Sequence, residues 1–299
     1  MDNEVMAKNN PKKPTLTHLD KVLYPKAKFT KRDVIGYYQA VAPILLPYLK
    51  DHPISMKRYP DGVNGEFFFE KNCPKFKPSF VKTATIAKFK KTSYCLINNL
   101  PSLIWVANLA SLEIHPLLSR FPKPRIAQSL VFDLDPGKPA NVIDCAQVAL
   151  ELKKLLDRLK LKSFIKTTGG KGLQVYVPLN TDVTFKQTKE FAHKIALLFE
   201  EKMPNKVTSQ VGKSHRKGKV YIDWLQNDPN KTTISAYSLR ASQMPLVSTP
   251  ITWQEVKKGL QSKKPEFFQF SPEKVLFRIK TSGDLFKPVL TLKQHLPKW

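Results

Sequence analysis

The residues best suited to chemistry in this chain are three aspartates. Asp133 and Asp135 occur in Ser129-Leu-Val-Phe-Asp-Leu-Asp-Pro-Gly137, and Asp223 in Val220-Tyr-Ile-Asp-Trp-Leu-Gln-Asn227. Side chains at i and i+2 of a strand project from one face, so Asp133 and Asp135 stand together while Leu134 faces the opposite layer. Two carboxylates that close need a cation. Hard, oxygen-seeking Mg2+ or Mn2+ would take them together with nucleotide phosphates, and Asp223, from a distant strand, would complete the ligands of the ion that activates a hydroxyl. That is the donor set of two-cation phosphoryl transfer. An ordinary reading competes with it, because Asp-Pro-Gly is a common turn at a strand end and D-x-D arises by chance. On D-x-D alone the turn is favoured.

Charge bears on the choice. The 299 residues include 50 Lys and Arg against 24 Asp and Glu, a formal net charge of +26. Such a field holds polyanions and steers their approach, whether nucleic acid or an anionic membrane. Beside the aspartates it points to a polymerase-like enzyme. Membrane binding is the weaker option: no run of about 18 apolar residues occurs, and the N-terminus lacks the apolar core of a signal peptide. The expected location is cytoplasmic, nucleoid-associated, with no membrane partner. The three cysteines, Cys73, Cys95 and Cys145, are odd in number and lack C-x-x-C spacing, so they read as buried thiols rather than a disulfide framework or a zinc site.

The elements that must position the aspartates follow from periodicity. An apolar content of 41% marks a globular chain. Residues 1–15 read as a flexible N-terminal arm and 16–299 as one catalytic domain, with a smaller lobe over about 16–110 and a catalytic lobe over about 111–299. Thr30-Lys-Arg-Asp33 is a capping signal, and Val34, Tyr37, Tyr38, Val41, Leu45 and Leu49 follow at near-helical spacing, so a helix is expected, strained or broken near Pro43 and Pro47. The stretch 54–108 reads as mostly β. Beyond it come a strand at Leu130–Asp135, an amphipathic helix from Val142 to Leu159, a hairpin over Phe164–Val177, a helix from Thr184 to Met203, a strand bearing Asp223, a helix opened by Thr252-Trp-Gln-Glu255, and a last apolar face at Lys274–Ile279. The fold class is α+β, two packed lobes around an antiparallel or mixed sheet bearing the metal site. In the hairpin, Thr168-Gly-Gly-Lys-Gly172 offers exposed N–H groups, a hydroxyl and an ammonium group to a triphosphate. It is not a Walker A loop, since G-x-x-x-x-G-K-[ST] is missing and a strand rather than a helix follows. Taken alone, cradle and ordinary turn stand about even.

A family resemblance joins these features. Leu19-Asp-Lys-Val-Leu-Tyr-Pro25, Thr30-Lys-Arg-Asp33, Arg58-Tyr-Pro-Asp-Gly62, Phe68-Phe-Glu-Lys-Asn72, Leu112-Glu-Ile-His115, Val131-Phe-Asp-Leu-Asp-Pro-Gly137, Gly170-Lys-Gly-Leu173, Asp223-Trp-Leu-Gln-Asn227 and Ala236-Tyr-Ser-Leu-Arg240 occur in order. Together they resemble the polymerase domain of bacterial ligase D, of the archaeo-eukaryotic primase superfamily, which works in non-homologous end joining. The resemblance runs from about Leu16 to about Leu290.

It implies a primase-polymerase-like fold and template-directed nucleotidyl transfer at DNA ends and short gaps. A primer 3′-hydroxyl would attack the nucleotide α-phosphate, with two divalent cations, Mn2+ or Mg2+, and a preference for ribonucleotides. By the same resemblance Asp133 and Asp135 bind both ions and Asp223 the nucleophile-side ion, while His115, Thr168, Lys171, Arg240 and Lys57 contact the nucleotide. A lone histidine is more often structural; only its Leu-Glu-Ile-His context lifts His115. Lys21 and Lys31 would hold the 5′-phosphate of gapped or broken double-stranded DNA, and Phe68 and Phe69 would stack on template bases. Without the resemblance those lysines are a solvated face and the phenylalanines a core strand, and Phe67 reads as core even so. Arg216, in Lys213-Ser-His-Arg-Lys-Gly-Lys219, tracks phosphates or belongs to a plain charge run. Nucleoside triphosphates, Ku and a DNA ligase are the implied partners.

Two positions depart from the family pattern: Gln174 replaces a usual histidine, and His18 stands where asparagine often precedes Leu-Asp-Lys, though His18 can still donate to a phosphate. The expectation is a stand-alone polymerase or one domain of a longer protein. The alternatives are a primase-type subunit that starts chains without a primer and a non-catalytic DNA end-bridging module. The complete aspartate set argues against the latter, and Lys21, Lys31 and Phe68-Phe69 against the former.

Overall fold

The computed structural model describes residues 13–86 and 91–297, so the first twelve residues of the expected arm lie outside the described residues. Strands β1 (Val22–Tyr24) and β2 (Phe29–Thr30) pair antiparallel and lead into helix α1 (Lys31–Leu49). Thr30 caps it as the sequence suggests: its hydroxyl accepts from Asp33 N–H, and Asp33 accepts from Thr30 N–H at 2.7 Å. Of the two outcomes expected at the prolines, a break is not the one seen: α1 runs through both. Pro43 and Pro47 lie four residues apart on the exposed side, as does Gln39. The carbonyls of Gln39 and Pro43, which lose their N–H partners, therefore face water instead of the core, and the helix continues.

Strands β3 (Pro53–Arg58), β4 (Phe68–Glu70), β5 (Lys82–Ile86) and β6 (Thr92–Leu96) form a small sheet of order β4-β3-β6-β5. After helix α2 (Leu100–Asn108), β7 (Ser111–Pro116) pairs with β3, so the strand carrying His115 belongs to this smaller sheet. Two expectations are corrected here. Cys73 and Cys95 form a disulfide with Cα atoms 4.9 Å apart, because the chain leaving β4 returns along β6, where Cys73 N–H donates to Ser93 O. The odd count thus conceals one pair plus one buried thiol, Cys145. Phe67 is not core but 51% exposed. It immediately precedes β4, an edge strand paired only with β3.

The second sheet holds the aspartates. It draws on β8 (Ser129–Pro136), β9 (Phe164–Thr167), β10 (Leu173–Pro178), β11 (Val207–Thr208), β12 (Val220–Asp223) and, after the small β13 (Leu239–Arg240) and β14 (Leu246–Val247) pair, β15 (Pro250–Ile251). Its order is β11-β12-β8-β10-β9-β15, antiparallel except for β11 with β12. Helices α3 (Val142–Arg158) and α4 (Phe185–Lys202) pack against it, and α5 (Trp253–Ser262) packs against α3. Capping boxes at Asn141, Thr184 and Thr252 start these three helices, and Ser271 caps α6 (Pro272–Ser282). Phe132 and Leu134 are fully buried, which leaves the opposite side of β8 to Asp133 and Asp135. One continuous apolar core runs through both sheets, giving the α+β fold of two packed lobes. Among the described residues no helix is long and apolar enough to cross a membrane.

Candidate active site

Antiparallel pairing brings the distant aspartate to the other two. Asp223 on β12 lies directly opposite Asp133 on β8, with Tyr221 opposite Asp135, so all three carboxyl groups share one face of the sheet. Asn227 pins this arrangement: its buried amide donates to Val131 O at 2.7 Å and accepts from Val131 N–H at 2.9 Å. Burial first, then Asp135 and Asp223, push the Asp133 carboxyl above the usual carboxylate range. Burial and Asp223 do the same to Asp135.

Among the described residues no three His, Cys, Asp or Glu side chains converge closely enough to hold an ion as they stand. Gln174 Nε2 donates to Asp133 Oδ2 at 2.8 Å, and Tyr221 OH donates to Asp223 Oδ1 at 3.1 Å. The donor chemistry nonetheless fits a hard divalent cation. Asp133 Oδ1 is buried without a hydrogen-bond partner among the described residues, and two adjacent carboxyl groups that resist ionisation are what a cation would relieve.

The row continues across the sheet. Gln174 on β10 lies opposite both Asp133 and Lys166 of β9. Lys166 is fully buried, its Nζ donates to Ser248 Oγ at 2.7 Å, and burial lowers its pKa against the opposing pull of Asp133. Lys166 was absent from the sequence reading, and only its i, i+8 relation to Gln174 across the hairpin could have suggested it.

The glycine-rich turn between β9 and β10 packs beside Asp135. A Cβ on Gly172 would sit 2.3 Å from Leu134 O, so only glycine permits that approach. The Thr168 hydroxyl accepts from Gly170 N–H at 3.2 Å and Gly172 N–H at 3.3 Å, so it organises the turn that faces the cleft. Lys171 projects exposed from the tip. A cleft of about 600 Å³ is lined by Asp133, Asp135, Gln174, Thr168, Lys171, His115 and Arg240, among others.

The far wall is cationic. Lys57 on β3 lies opposite Glu113 on β7, and His115 is two residues on, on the same face. Glu113, missed in the sequence reading although it sits inside Leu-Glu-Ile-His, is 1% exposed and faces donors throughout. Its Oε2 accepts from His115 Nε2 at 2.8 Å and lies 3.3 Å from Arg240 Nη1; its Oε1 accepts from Ala241 N–H at 3.1 Å and lies 3.7 Å from Lys57 Nζ. Burial opposes its ionisation, yet the His115 bond and the Arg240 and Lys57 charges hold its pKa below the usual range. Burial lowers His115 and Lys57, with Glu113 opposing both shifts.

The remaining candidates divide between two places. Phe69 meets His115 edge-on, centroids 5.8 Å apart, and Lys57 Nζ lies 4.0 Å from the Phe67 ring, so these join the cationic wall. Phe68, on the opposite face of β4, lies under Arg58 instead. Lys21 and Lys31 are brought together where β1 meets α1: Lys31 N–H donates to Lys21 O at 2.8 Å. Lys31 is buried and donates to Thr17 O at 2.7 Å, while Lys21 is exposed and pairs with Asp61 at 2.7 Å. His18 is exposed in the preceding turn, its carbonyl accepting from Lys21 N–H. Arg216 is neither remote nor fully solvated: its guanidinium stacks 3.7 Å from the Tyr221 ring centroid and partly opposes the rise that burial and Asp223 impose on the Asp135 pKa. Gly137 allows this, since a Cβ there would strike Arg216 O at 1.9 Å.

A family model described as LigD, primase-polymerase domain, matches residues 30–286. The multifunctional non-homologous end joining protein LigD of Mycolicibacterium smegmatis is 39% identical over 277 residues, covering 92% of this chain and 36% of that protein. The bifunctional non-homologous end joining protein LigD of Bacillus subtilis is 34% identical over 283 residues, covering 94% of this chain and 45% of that protein. The chain therefore spans less than half the length of these relatives. Among solved structures, the polymerase domain from Mycobacterium tuberculosis ligase D in complex with DNA matches with a TM-score of 0.87 and 38% identity, over 94% of this chain and 99% of that one.

Proposed function

This chain belongs to the LigD primase-polymerase domain family, and from that membership and the geometry of the cleft we propose that it adds nucleotides to primer ends in template-directed fashion during non-homologous end joining. The observation that carries the reading is the facing pair of surfaces in one cleft: neighbouring carboxylates with an unpartnered Asp133 oxygen on one side, cations on the other. Asp133 and Asp135 would hold both divalent cations, Mn2+ or Mg2+, and Asp223 the one nearer the primer. When bound, these ions supply charge neutralisation and Lewis-acid stabilisation of the attacking and leaving oxygens of the in-line displacement.

The chain's own groups account for the rest. Arg240, Lys57, His115 and Lys171 present cations and a donor to the triphosphate, and the Thr168-organised turn carries Lys171 and packs against Arg240 beside Asp135. Phe69, against His115, places a template-stacking surface beside the nucleotide, and Arg216 brings a guanidinium to the primer side. Lys21 and Lys31 would receive the 5′-phosphate across a gap. Ribonucleotide preference, and work alongside Ku and a DNA ligase, belong to the same proposal and rest on the family relation.

The test is extension of a 5′-phosphorylated gapped duplex with each metal and with ribo- or deoxynucleotides. Template-matched addition that requires the metal and favours ribonucleotides is expected. Chains begun without a primer would favour a primase-type activity, and DNA binding with no addition under either metal would reduce the protein to an end-bridging module.

A further inference from the structure

Glu113 poses a problem for simple electrostatics. A pocket for a polyanion gains nothing from a buried negative charge, yet this carboxylate sits among the cationic groups to which the proposed function gives the triphosphate. We propose that Glu113 is a positioning residue, holding Lys57, Arg240 and His115 in the geometry that receives the nucleotide triphosphate. The inference rests on the reading of the cleft given above and names a role for a residue that reading does not use.

Every group facing Glu113 is a donor: His115 Nε2–H, the Arg240 guanidinium, the Lys57 ammonium and the Ala241 N–H. A carboxylate offers only acceptors and can serve all four; an amide cannot. Lys57 and Arg240 are long side chains with much rotamer freedom, and side by side they repel. One shared anion removes that repulsion and fixes both before the nucleotide arrives, which lowers the cost of ordering them on binding. Glu113 also ties the small sheet to the chain around β13. It stands on β7 of the small sheet and accepts from Ala241 next to β13, alongside the bonds from Ile114 N–H to Ser238 Oγ at 3.0 Å and from Ser235 N–H to Ile114 O at 2.9 Å. The same side chain thereby places Arg240, from the C-terminal half, opposite Lys57.

The test compares Glu113→Gln and Glu113→Asp in primer extension on gapped DNA. Gln keeps the shape and removes the charge; Asp keeps the charge and shortens the reach by one methylene. Positioning requires kcat/KM for the nucleotide to fall in both, by about 10- to 100-fold as for other residues that orient binding groups, with gapped-duplex affinity unchanged. If Glu113 acts only through its field, Gln lowers the nucleotide KM and Asp changes nothing. If it is only a structural ion pair, the thermal midpoint drops while nucleotide kinetics hold. Either outcome overturns the proposal. Should Gln fail to fold, the Asp variant alone and in an Arg240→Ala background decides: a positioning residue that works through Arg240 loses most of its effect once Arg240 is gone, and equal losses in both backgrounds refute the role. Wild-type protein that adds no nucleotide at all would defeat the polymerase reading itself, a result distinct from any of these.

Discussion

Replacing Lys21 and Lys31 together by alanine should abolish discrimination between gapped DNA with and without a 5′-phosphate. Their backbones are joined by the Lys31 N–H to Lys21 O bond, so both ammonium groups leave adjacent points of the chain. Lys31 is 6% exposed and among the described residues its ammonium donates to Thr17, mainly to the carbonyl at 2.7 Å, so donors remain for a ligand. Burial, with Lys21 and Arg58 adding to it, lowers its pKa, a strain that a dianionic phosphate would relieve. A charge-assisted hydrogen bond from such a group contributes about 1.5–3 kcal/mol. Lys21 must first leave Asp61, and because that pair is exposed the exchange adds at most about 1 kcal/mol. Together these give about 1.5–4 kcal/mol, roughly 10- to 900-fold in Kd. Fluorescence anisotropy with the two gapped duplexes at one fixed salt concentration measures it, since non-specific affinity varies steeply with salt. The double variant should bind both duplexes like wild type binds the unphosphorylated one, with its salt dependence retained. Equal wild-type affinity for the two ends would mean that no such pocket operates.

Other perturbations test other parts of the molecule. Asp135→Ala should remove nucleotide addition while leaving gapped-duplex affinity nearly intact, because the carboxylate faces the cleft floor and not the β1–α1 junction; normal extension would sink the site assignment. His52 provides a pH dependence. Its buried ring donates from Nδ1 to Leu117 O at 2.7 Å and accepts at Nε2 from Arg120 Nε at 3.1 Å, and burial, then Arg120, lower its pKa from 6.5 to about 4. The unfolded chain therefore binds a proton that the folded one refuses, so stability is complete above pH 6.5 and declines as pH falls toward 4, by about 3 kcal/mol. Urea midpoints of wild type and His52→Gln across that window should diverge, the variant showing the shallower decline; parallel curves would remove His52 from the account. Reduction of the Cys73–Cys95 bond, which spans 22 residues, should cost about 3 kcal/mol by loop-closure entropy. A Cys73→Ser, Cys95→Ser protein should be insensitive to reductant, and a wild type equally insensitive would show that the bond does not form in solution.

What could be read in advance depended on whether signal and structure shared a period. Asp133 and Asp135 showed themselves because a strand repeats every two residues and so does the functional face; helices α3, α4 and α5 showed themselves through apolar spacing and through caps that are local in sequence. The misreadings arose where outcome depended on what lay outside the local segment. At Pro43 and Pro47 the choice between a strained and a broken helix turns partly on whether the freed carbonyls reach water, and exposure is not written in the local sequence. Cys73 and Cys95 meet because β4 and β6 belong to one sheet, a fact of topology that cysteine spacing does not carry. Phe67 has a core residue's composition but precedes a strand with one neighbour. The cationic wall is the extreme case. Its members come from positions 57, 113, 115 and 240, with no shared period and no motif that contains them all. Within Leu-Glu-Ile-His, Glu113 reads as the polar half of an alternating strand. Only when β3 lies on one side of it and the chain at Ala241 closes on the other does the same alternation become a buried anion ringed by donors. Strand pattern thus located the carboxylates proposed to hold an ion, whereas the groups proposed to meet the phosphates surround a residue whose setting exists only after the small sheet and the Ala241 segment have packed.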